Sequence, residues 1–296
     1  NNSLLDSDKI SITKILTFLA NNLKRVIAMD NRIDRLAQWL HQNDIDATFV
    51  TSRANVFYLT GFSCNPRERL LGVWVFPDNS SVLVCPLLEI ERVKESGWHG
   101  EVYAYRDEDN PWLWMKNKFV HLITQESKIA IEVDHLTYGR AGHLSETLGV
   151  KTILPIDEQM RMMRIHKTVR EKEILRKAAN LADKAIQYGI DFLSIGCTEL
   201  AVKRHIEKKM QDLGVTNMAF QTMVLFGERT ALPHGVASSR QLKQGELVLF
   251  DLGVIVDGYC SDITRTVAFG EITAKQKEIY NTVLQANTQA LQALEQ

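Results

Sequence analysis

The sequence has no paired cysteine motif, no long apolar run and no excess of charge of one sign. Its four cysteines, Cys64, Cys85, Cys197 and Cys260, are far apart and form no CxxC. Zinc ribbons and thioredoxin-like redox motifs are therefore unsupported. Single scattered cysteines in a chain of this size point to a reducing compartment and to small core residues. No apolar stretch approaches the ~20 residues that span a bilayer. The best N-terminal candidate, ILTFLA at residues 15–20, is too short for a signal-peptide core. The expected location is the cytoplasm, with no membrane partner. Lys and Arg number 35 against 36 Asp and Glu, a net charge of −1. A general nucleic-acid binder carries a basic excess or stripe, so no nucleic-acid partner is expected. The basic stretch Arg161, Arg164, His166, Lys167, Arg170 is soon followed by Glu171 and Glu173. It reads as a solvated face or an inter-domain joint. There is no HExxH, no internal repeat and no low-complexity tract.

What is present is an ordinary globular composition: 296 residues, 45% apolar and 24% charged. That length suggests two domains and buries about three quarters of the unfolded surface, so no disulfide or metal staple is needed for folding. Residues 1–28 contain no Gly or Pro and are expected to be an N-terminal extension or a non-native start-site artefact, the alternative being an extra helix around residues 12–27. Met29 opens MDNRIDRLAQWL, where Asp30 can cap a helix and Ile33, Leu36, Ala37 and Leu40 share one apolar face.

Strands are expected at residues 47–52, 128–133 and 152–156. A hairpin is expected from residues 70–76 and 81–85, turning through Pro77, Asp78, Asn79 and Ser80. Helices are expected near 87–96, 112–123 and 138–148. Alternating strands and helices over 29–156 predict an α/β domain with a mixed sheet. A boundary is placed at residue 157. Beyond it, Thr168 and Glu171 form a capping box ahead of Ile174, Leu175, Ala178, Leu181, Ala182, Ala185 and Ile186 at helical spacing. A second helix at 198–213 follows Gly196, then a strand at 220–226 and a loop through Pro233. Two strands join at Asp257-Gly258. Thr273 and Gln276 box a final helix carrying Ile279, Val283, Ala286, Ala290 and Leu294.

The most informative segment is ELVLFDLGVIVDGYCSDITRTVAF, residues 246–269. Asp-Gly between apolar runs predicts a type I′ hairpin, with Val256 facing Tyr259, Ile255 facing Cys260, Gly253 facing Asp262 and Asp251 facing Thr264. Alternation puts Val248, Phe250, Leu252, Val254, Val256, Ile263 and Val267 on a core face. Asp251, Gly253, Asp262, Thr264 and Thr266 take the other. Asp251 and Asp262 become diagonal neighbours, Cα atoms about 7–8 Å apart, with Gly253 leaving room between them. Two converging carboxylates repel unless a cation separates them or one is protonated. Periodicity alone leaves a metal site and a merely solvated face equally open. Upstream, His234 in ALPHG can polarise a carbonyl or shuttle a proton, or be a bystander. Arg265 shares the core-side parity, which allows a buried pairing role.

These residues resemble a known family. DLGVIVDGYCSDITRT is similar to the metal-binding hairpin of the pita-bread metallopeptidases, the creatinase/aminopeptidase P/prolidase group. ALPHG resembles that family's histidine loop, and IHKTVREKEILRKAANLADKAI the first helix of its catalytic domain. NVFYLTGF at residues 55–62 resembles a motif of the creatinase-like N-terminal domain. The likeness runs from about Met29 to the last residue. It implies an α/β plus α+β chain: a creatinase-like domain at 29–157, then the first part of a pita-bread domain at 158–296.

The resemblance implies that Asp251 and Asp262 are ligands of two divalent metal ions, Mn²⁺ first, with Co²⁺ or Zn²⁺ as alternatives. His234 would assist the tetrahedral intermediate. The implied reaction is hydrolysis of Xaa-Pro bonds in proline-containing peptides by a metal-bridging hydroxide, in a homodimer. Retained aspartates argue against creatinase, and the N-terminal domain against methionine aminopeptidases. Xaa-Pro dipeptidase and aminopeptidase P stay open. The later histidines and glutamates that complete the family's site have no counterpart in these 296 residues. This chain is therefore expected to be a fragment or a truncated relative, inactive as given. A non-catalytic peptide- or protein-binding module on the same fold is the alternative.

Overall fold

The computed structural model describes residues 32–294. The expected extension at 1–28 and the Asp30 cap lie outside them. Two compact units divide the chain between His166 and Lys167.

In the first unit, helical residues 32–42 (α1) precede β1 (Ala47–Val50), α2 (Arg53–Thr60), β2 (Gly72–Val75) and β3 (Ser81–Pro86). Then come α3 (Ile90–Glu95), β4 (Glu101–Tyr105), α4 (Pro111–Phe119), β5 (Lys128–Ile131), α5 (Tyr138–Leu148), β6 (Thr152–Pro155) and α6 (Asp157–Ile165). The strands form one mixed sheet in the order β4-β3-β2-β1-β5-β6. β2 pairs antiparallel with β1 and β3, while β3–β4, β1–β5 and β5–β6 are parallel.

Side-chain alternation supplies both faces of this sheet with a core. Val73, Val75, Leu83, Cys85 and Ala130 meet Ile33, Leu36, Ala37 and Leu40 of α1 and Met160 and Met163 of α6. Their neighbours Phe49, Trp74, Val82, Val84 and Ile129 meet Met115 and Phe119 of α4 and Leu144 of α5. Phe49 stacks on Trp74 at 4.7 Å between ring centroids. Each of these fully buried aromatics contributes about 2–3 kcal/mol by burial.

The hairpin through residues 77–80 forms as expected, with Val75 paired to Ser81 and Asn79 at φ 69°. Three elements had no expectation attached: α2, the edge strand β4 and α6. The NVFYLTGF segment forms α2 and its cap. Asn55 donates to buried Glu132 and accepts from Arg164 at 3.0 Å, and the Tyr58 hydroxyl donates to the Met163 carbonyl at 2.9 Å. Those bonds hold α6 against α2, so the first unit closes at His166, nine residues beyond residue 157.

The second unit holds α7 (Val169–Phe192), α8 (Glu199–Asp212), β7 (Met223–Phe226), β8 (Glu246–Leu252), β9 (Ile255–Val256), β10 (Tyr259–Cys260), β11 (Ile263–Phe269) and α9 (Ala274–Leu294). The Thr168–Glu171 capping box forms in full. Strands β11-β8-β7 make an antiparallel sheet, and β9-β10 extend the hairpin. Ala178, Ala182, Ala185 and Ile186 of α7 and Val202, Ile206 and Met210 of α8 pack on Val224, Phe226, Val248, Phe250 and Leu252. Gly189 allows this approach, since a Cβ there would lie 2.7 Å from the Phe250 ring. The Thr273–Gln276 box also forms, yet Ile279, Val283 and Leu294 of α9 are exposed.

Candidate metal centre

The hairpin owes its register to its turn. Asp257 and Gly258 have φ of 48° and 84°, the positive pair that a type I′ turn requires. Val256 pairs with Tyr259 and Ile255 with Cys260; farther out, Leu252 pairs with Ile263 and Asp251 with Thr264. The tip is anchored by the Tyr259 hydroxyl, which donates to Glu171 Oε1 at 2.8 Å. Val248, Phe250, Leu252, Val254 and Val256 are buried as the alternation predicts. Ile263 and Val267 are half-buried, because β11 is the sheet's edge. Arg265 is exposed and, among the described residues, bonds only the neighbouring Thr264 carbonyl, so its parity does not bring burial.

Between the two paired stretches the ladder is broken. The Ser261 N–H donates to the Val254 carbonyl, but the Val254 N–H turns to the Ser261 hydroxyl, both at 3.0 Å. The Gly253 carbonyl accepts from Ala219 N–H at 2.8 Å, and Ile255 N–H donates to the Asn217 carbonyl at 3.1 Å. These bonds explain why the strand expected from residue 220 begins only at Met223: the segment before it laces onto the hairpin's middle. A Cβ on Gly253 would lie 1.9 Å from the Ser261 carbonyl oxygen. The space that glycine frees is thus taken by backbone, rather than held open between the carboxylates.

Asp262 follows Ser261 directly and is exposed; Asp251 is half-buried. The register makes them diagonal neighbours on the face opposite the core. Burial, and then the negative charge of Asp262, push the Asp251 carboxyl above its ordinary range, while a hydrogen bond from Thr264 works the other way. Asp251 therefore feels the charge of Asp262. As a pair of hard oxygen donors whose repulsion a divalent cation would relieve, they fit such an ion as part of a ligand set. Among the described residues no group of three or more His, Cys, Asp or Glu is placed to hold a metal.

His234 is exposed on the loop after a 3-10 turn at Gly227–Ala231. Among the described residues it makes no hydrogen bond or ion pair. The loop nevertheless lies over the carboxylate face. Gly235 rests on Leu225, where a Cβ would come within 2.5 Å of the leucine. Leu225 pairs with Leu249 and Met223 with Asp251, so all four share one face. Leu225 is two residues along and one strand across from Asp251, roughly 8 Å in the sheet plane.

Sequence reasoning missed the group that moors this loop. Glu199, fully buried in the first turn of α8, accepts from the Phe226 N–H (2.9 Å), the Ser238 N–H (2.8 Å), the Ser238 hydroxyl (2.7 Å) and Arg229 Nε (3.1 Å). In sequence it is indistinguishable from an acid placed to favour a helix N-terminus. Its burial comes from partners 27 to 39 residues away, which no local pattern reveals.

Residues 173–296 match the metallopeptidase family M24, and residues 32–166 match the creatinase/prolidase N-terminal domain. An uncharacterized peptidase of Staphylococcus aureus is 41% identical over 263 residues, covering 89% of this chain and 73% of its own length. Among solved structures, a prolidase from Pyrococcus horikoshii superposes with a TM-score of 0.74 at 33% identity, over 90% of this chain and 71% of that one. An X-Pro aminopeptidase from Thermotoga maritima does so with a TM-score of 0.75 at 26% identity, over 88% and 71%. The chain belongs to metallopeptidase family M24, with a creatinase/prolidase-type N-terminal α/β domain ahead of its peptidase domain.

Proposed function

We propose that the protein hydrolyses Xaa-Pro peptide bonds, and that Asp251 and Asp262 hold divalent metal, Mn²⁺ by preference. The observation that carries this reading is the diagonal aspartate pair: burial, and then the negative charge of Asp262, hold the Asp251 carboxyl above its ordinary range. A binding module would have no use for that repulsion. The relatives named as a prolidase and an X-Pro aminopeptidase support the bond class and leave open whether the substrate is a dipeptide or a longer peptide.

The chain's own residues divide the work. Asp251 and Asp262 bring two negative charges to one face of the hairpin. Thr264, hydrogen-bonded to Asp251, orients that carboxylate and favours its ionised form. Met223 and Leu249 flank Asp251 on its face. His234 hydrogen-bonds the scissile carbonyl as negative charge develops on its oxygen. Asp251 and Asp262 would hold divalent metal, which would supply Lewis acidity and make water a better nucleophile.

Two aspartates are a small ligand set, so residues 1–296 alone bind Mn²⁺ weakly and turn nothing over. The remaining expectations, a homodimer and a cytoplasmic location, rest on the family resemblance and on four unpaired thiols. In the test, the protein purified from its native source cleaves an Xaa-Pro dipeptide with Mn²⁺ or Co²⁺, and Asp262→Asn abolishes the cleavage. Metal-independent cleavage, or an unaffected variant, overturns the reading. Robust turnover by purified residues 1–296 overturns the ligand count.

A further inference from the structure

The His234 loop is tied down at both ends by one side chain. Phe226 closes β7 and Ser238 ends the loop, and the backbone N–H of each donates to Glu199. The 3-10 turn and ALPHG lie between them. The first turn of α8 adds to the mooring: the N–H groups of Glu199 and Leu200, which lack helical partners, donate to the carbonyls of Arg240 and Ser238. Arg229 carries the connection into the loop. Its Nε reaches both Glu199 oxygens, at 3.1 and 3.2 Å, and its Nη2 donates to the Val236 carbonyl at 2.7 Å. Val236 is two residues from His234.

The bonds made within the loop, from the Leu232 N–H to the Arg229 carbonyl at 3.0 Å and from the Gly235 N–H to the Leu232 carbonyl at 3.2 Å, do not engage the histidine ring. Pro233 and Gly235 end regular structure, and among the described residues His234 has no bonded partner of its own. A fully buried carboxylate that receives two backbone N–H groups, a hydroxyl and a guanidinium is satisfied only in one loop geometry. The guanidinium is planar, so its two bonds fix the direction of Val236 as well as its distance.

We propose that Glu199 is the positioning residue of the His234 loop, acting through Arg229 to hold the histidine over the carboxylate face. This rests on the reading of His234 as the substrate-side group. Glu199 itself touches no substrate in this arrangement.

The test uses isotope-labelled residues 1–296 carrying Glu199→Gln or Arg229→Lys, with the His234 imidazole signals assigned by His234→Gln. Glu199→Gln should speed amide exchange at Phe226 and Ser238 by about tenfold or more and move the His234 ring signals toward those of a free histidine. Protection in α7 and β8 should not change. Arg229→Lys, which keeps the charge and loses the fork, should move the His234 signals while sparing the Ser238 amide. In the native-source enzyme, Glu199→Gln should lower kcat with little change in KM, and should cost nothing further in a His234→Ala background. Unchanged ring signals in both variants overturn the proposal. So does loss of protection throughout α7 and β8, which would make Glu199 a general core support. If the loop responds as expected but His234→Ala turns over normally, the tether stands and the role given to His234 fails.

Discussion

Replacing Asp262 with Asn tests the carboxylate pair directly. Asp251 is half-buried, and the charge on Asp262 pushes its carboxyl further up. Leaning toward each other from diagonal positions, the two groups approach to roughly 6 Å, and because Asp262 is exposed the effective dielectric is roughly 40–80, so 332/(εr) gives about 0.7–1.4 kcal/mol of repulsion. The sign follows from linkage. A carboxyl whose folded pKa is raised stabilises the fold while protonated; that contribution is complete below its unfolded pKa and lost as pH rises through the folded one. The native chain is therefore penalised at neutral pH, and Asp262→Asn is relieved of part of the penalty. In chelator at neutral pH the variant should melt about 3–5 °C higher, for about 1 kcal/mol in a unit of this size. The gap should close as pH falls below the carboxylate range. With about 1 mM Mn²⁺ and a Kd of about 0.1–1 mM, the native chain gains about 0.4–1.4 kcal/mol by mass action, and the variant gains nothing. Scanning calorimetry at both pH extremes, with chelator and with Mn²⁺, reads all four arms. A variant melting at or below the native chain in chelator refutes the like-charge argument. One that gains as much as the native chain from Mn²⁺ refutes the ligand role.

Gly253→Ala should cost about 1–3 kcal/mol in urea denaturation, since its Cβ would meet the Ser261 carbonyl at 1.9 Å and the backbone must move; a neutral result would show that the break in the ladder is adaptable. Tyr259→Phe removes a hydroxyl-to-carboxylate bond and should lower the stability of residues 1–296 by about 1.5 kcal/mol. An unchanged urea midpoint would mean that the hairpin tip needs no anchor. Burial pushes the Cys64 thiol up to about 11 and Cys85 up to about 12, whereas Cys260 is exposed. Iodoacetamide at mildly alkaline pH should thus label Cys260 first and leave Cys64 and Cys85 intact until unfolding, as peptide mapping by mass would show.

What could be read from the sequence was whatever a short pattern determines. The Asp257-Gly258 turn set the hairpin register, and with it the diagonal placement of Asp251 and Asp262, because side-chain parity follows from the turn alone. The Thr168–Glu171 box and the apolar spacing after it located α7 for the same reason. What escaped depends on distant partners. Strand β4 reads poorly because it is an edge strand with Glu101 exposed, and it is held by parallel pairing to β3. Helix α6 looks like a polar linker until Met160 and Met163 are seen against the sheet. Glu199 looks like a helix-start acid until Phe226, Arg229 and Ser238 close around it. Gly253 stands out in sequence for its missing side chain, but what fills the gap is a carbonyl that only the broken ladder brings close.

The stability of the hairpin and the integrity of the site are one quantity. A slip of one residue in the β8–β11 pairing would turn Asp251 toward Ala182 and Val202 and expose Phe250 and Leu252 in its place. Burying an unpaired carboxylate costs several kcal/mol, and exposing two large apolar side chains costs a further ~3–6 kcal/mol. The native register is therefore enforced by the core face, although the two aspartates are on the other. The type I′ turn and the Tyr259–Glu171 bond act in the same sense from the tip, and Gly189 lets α7 press closely enough on Phe250 to make the apolar penalty large. Substitutions in that core, far from either aspartate, should therefore disturb metal affinity in proportion to the register they loosen rather than to their distance from the carboxylates.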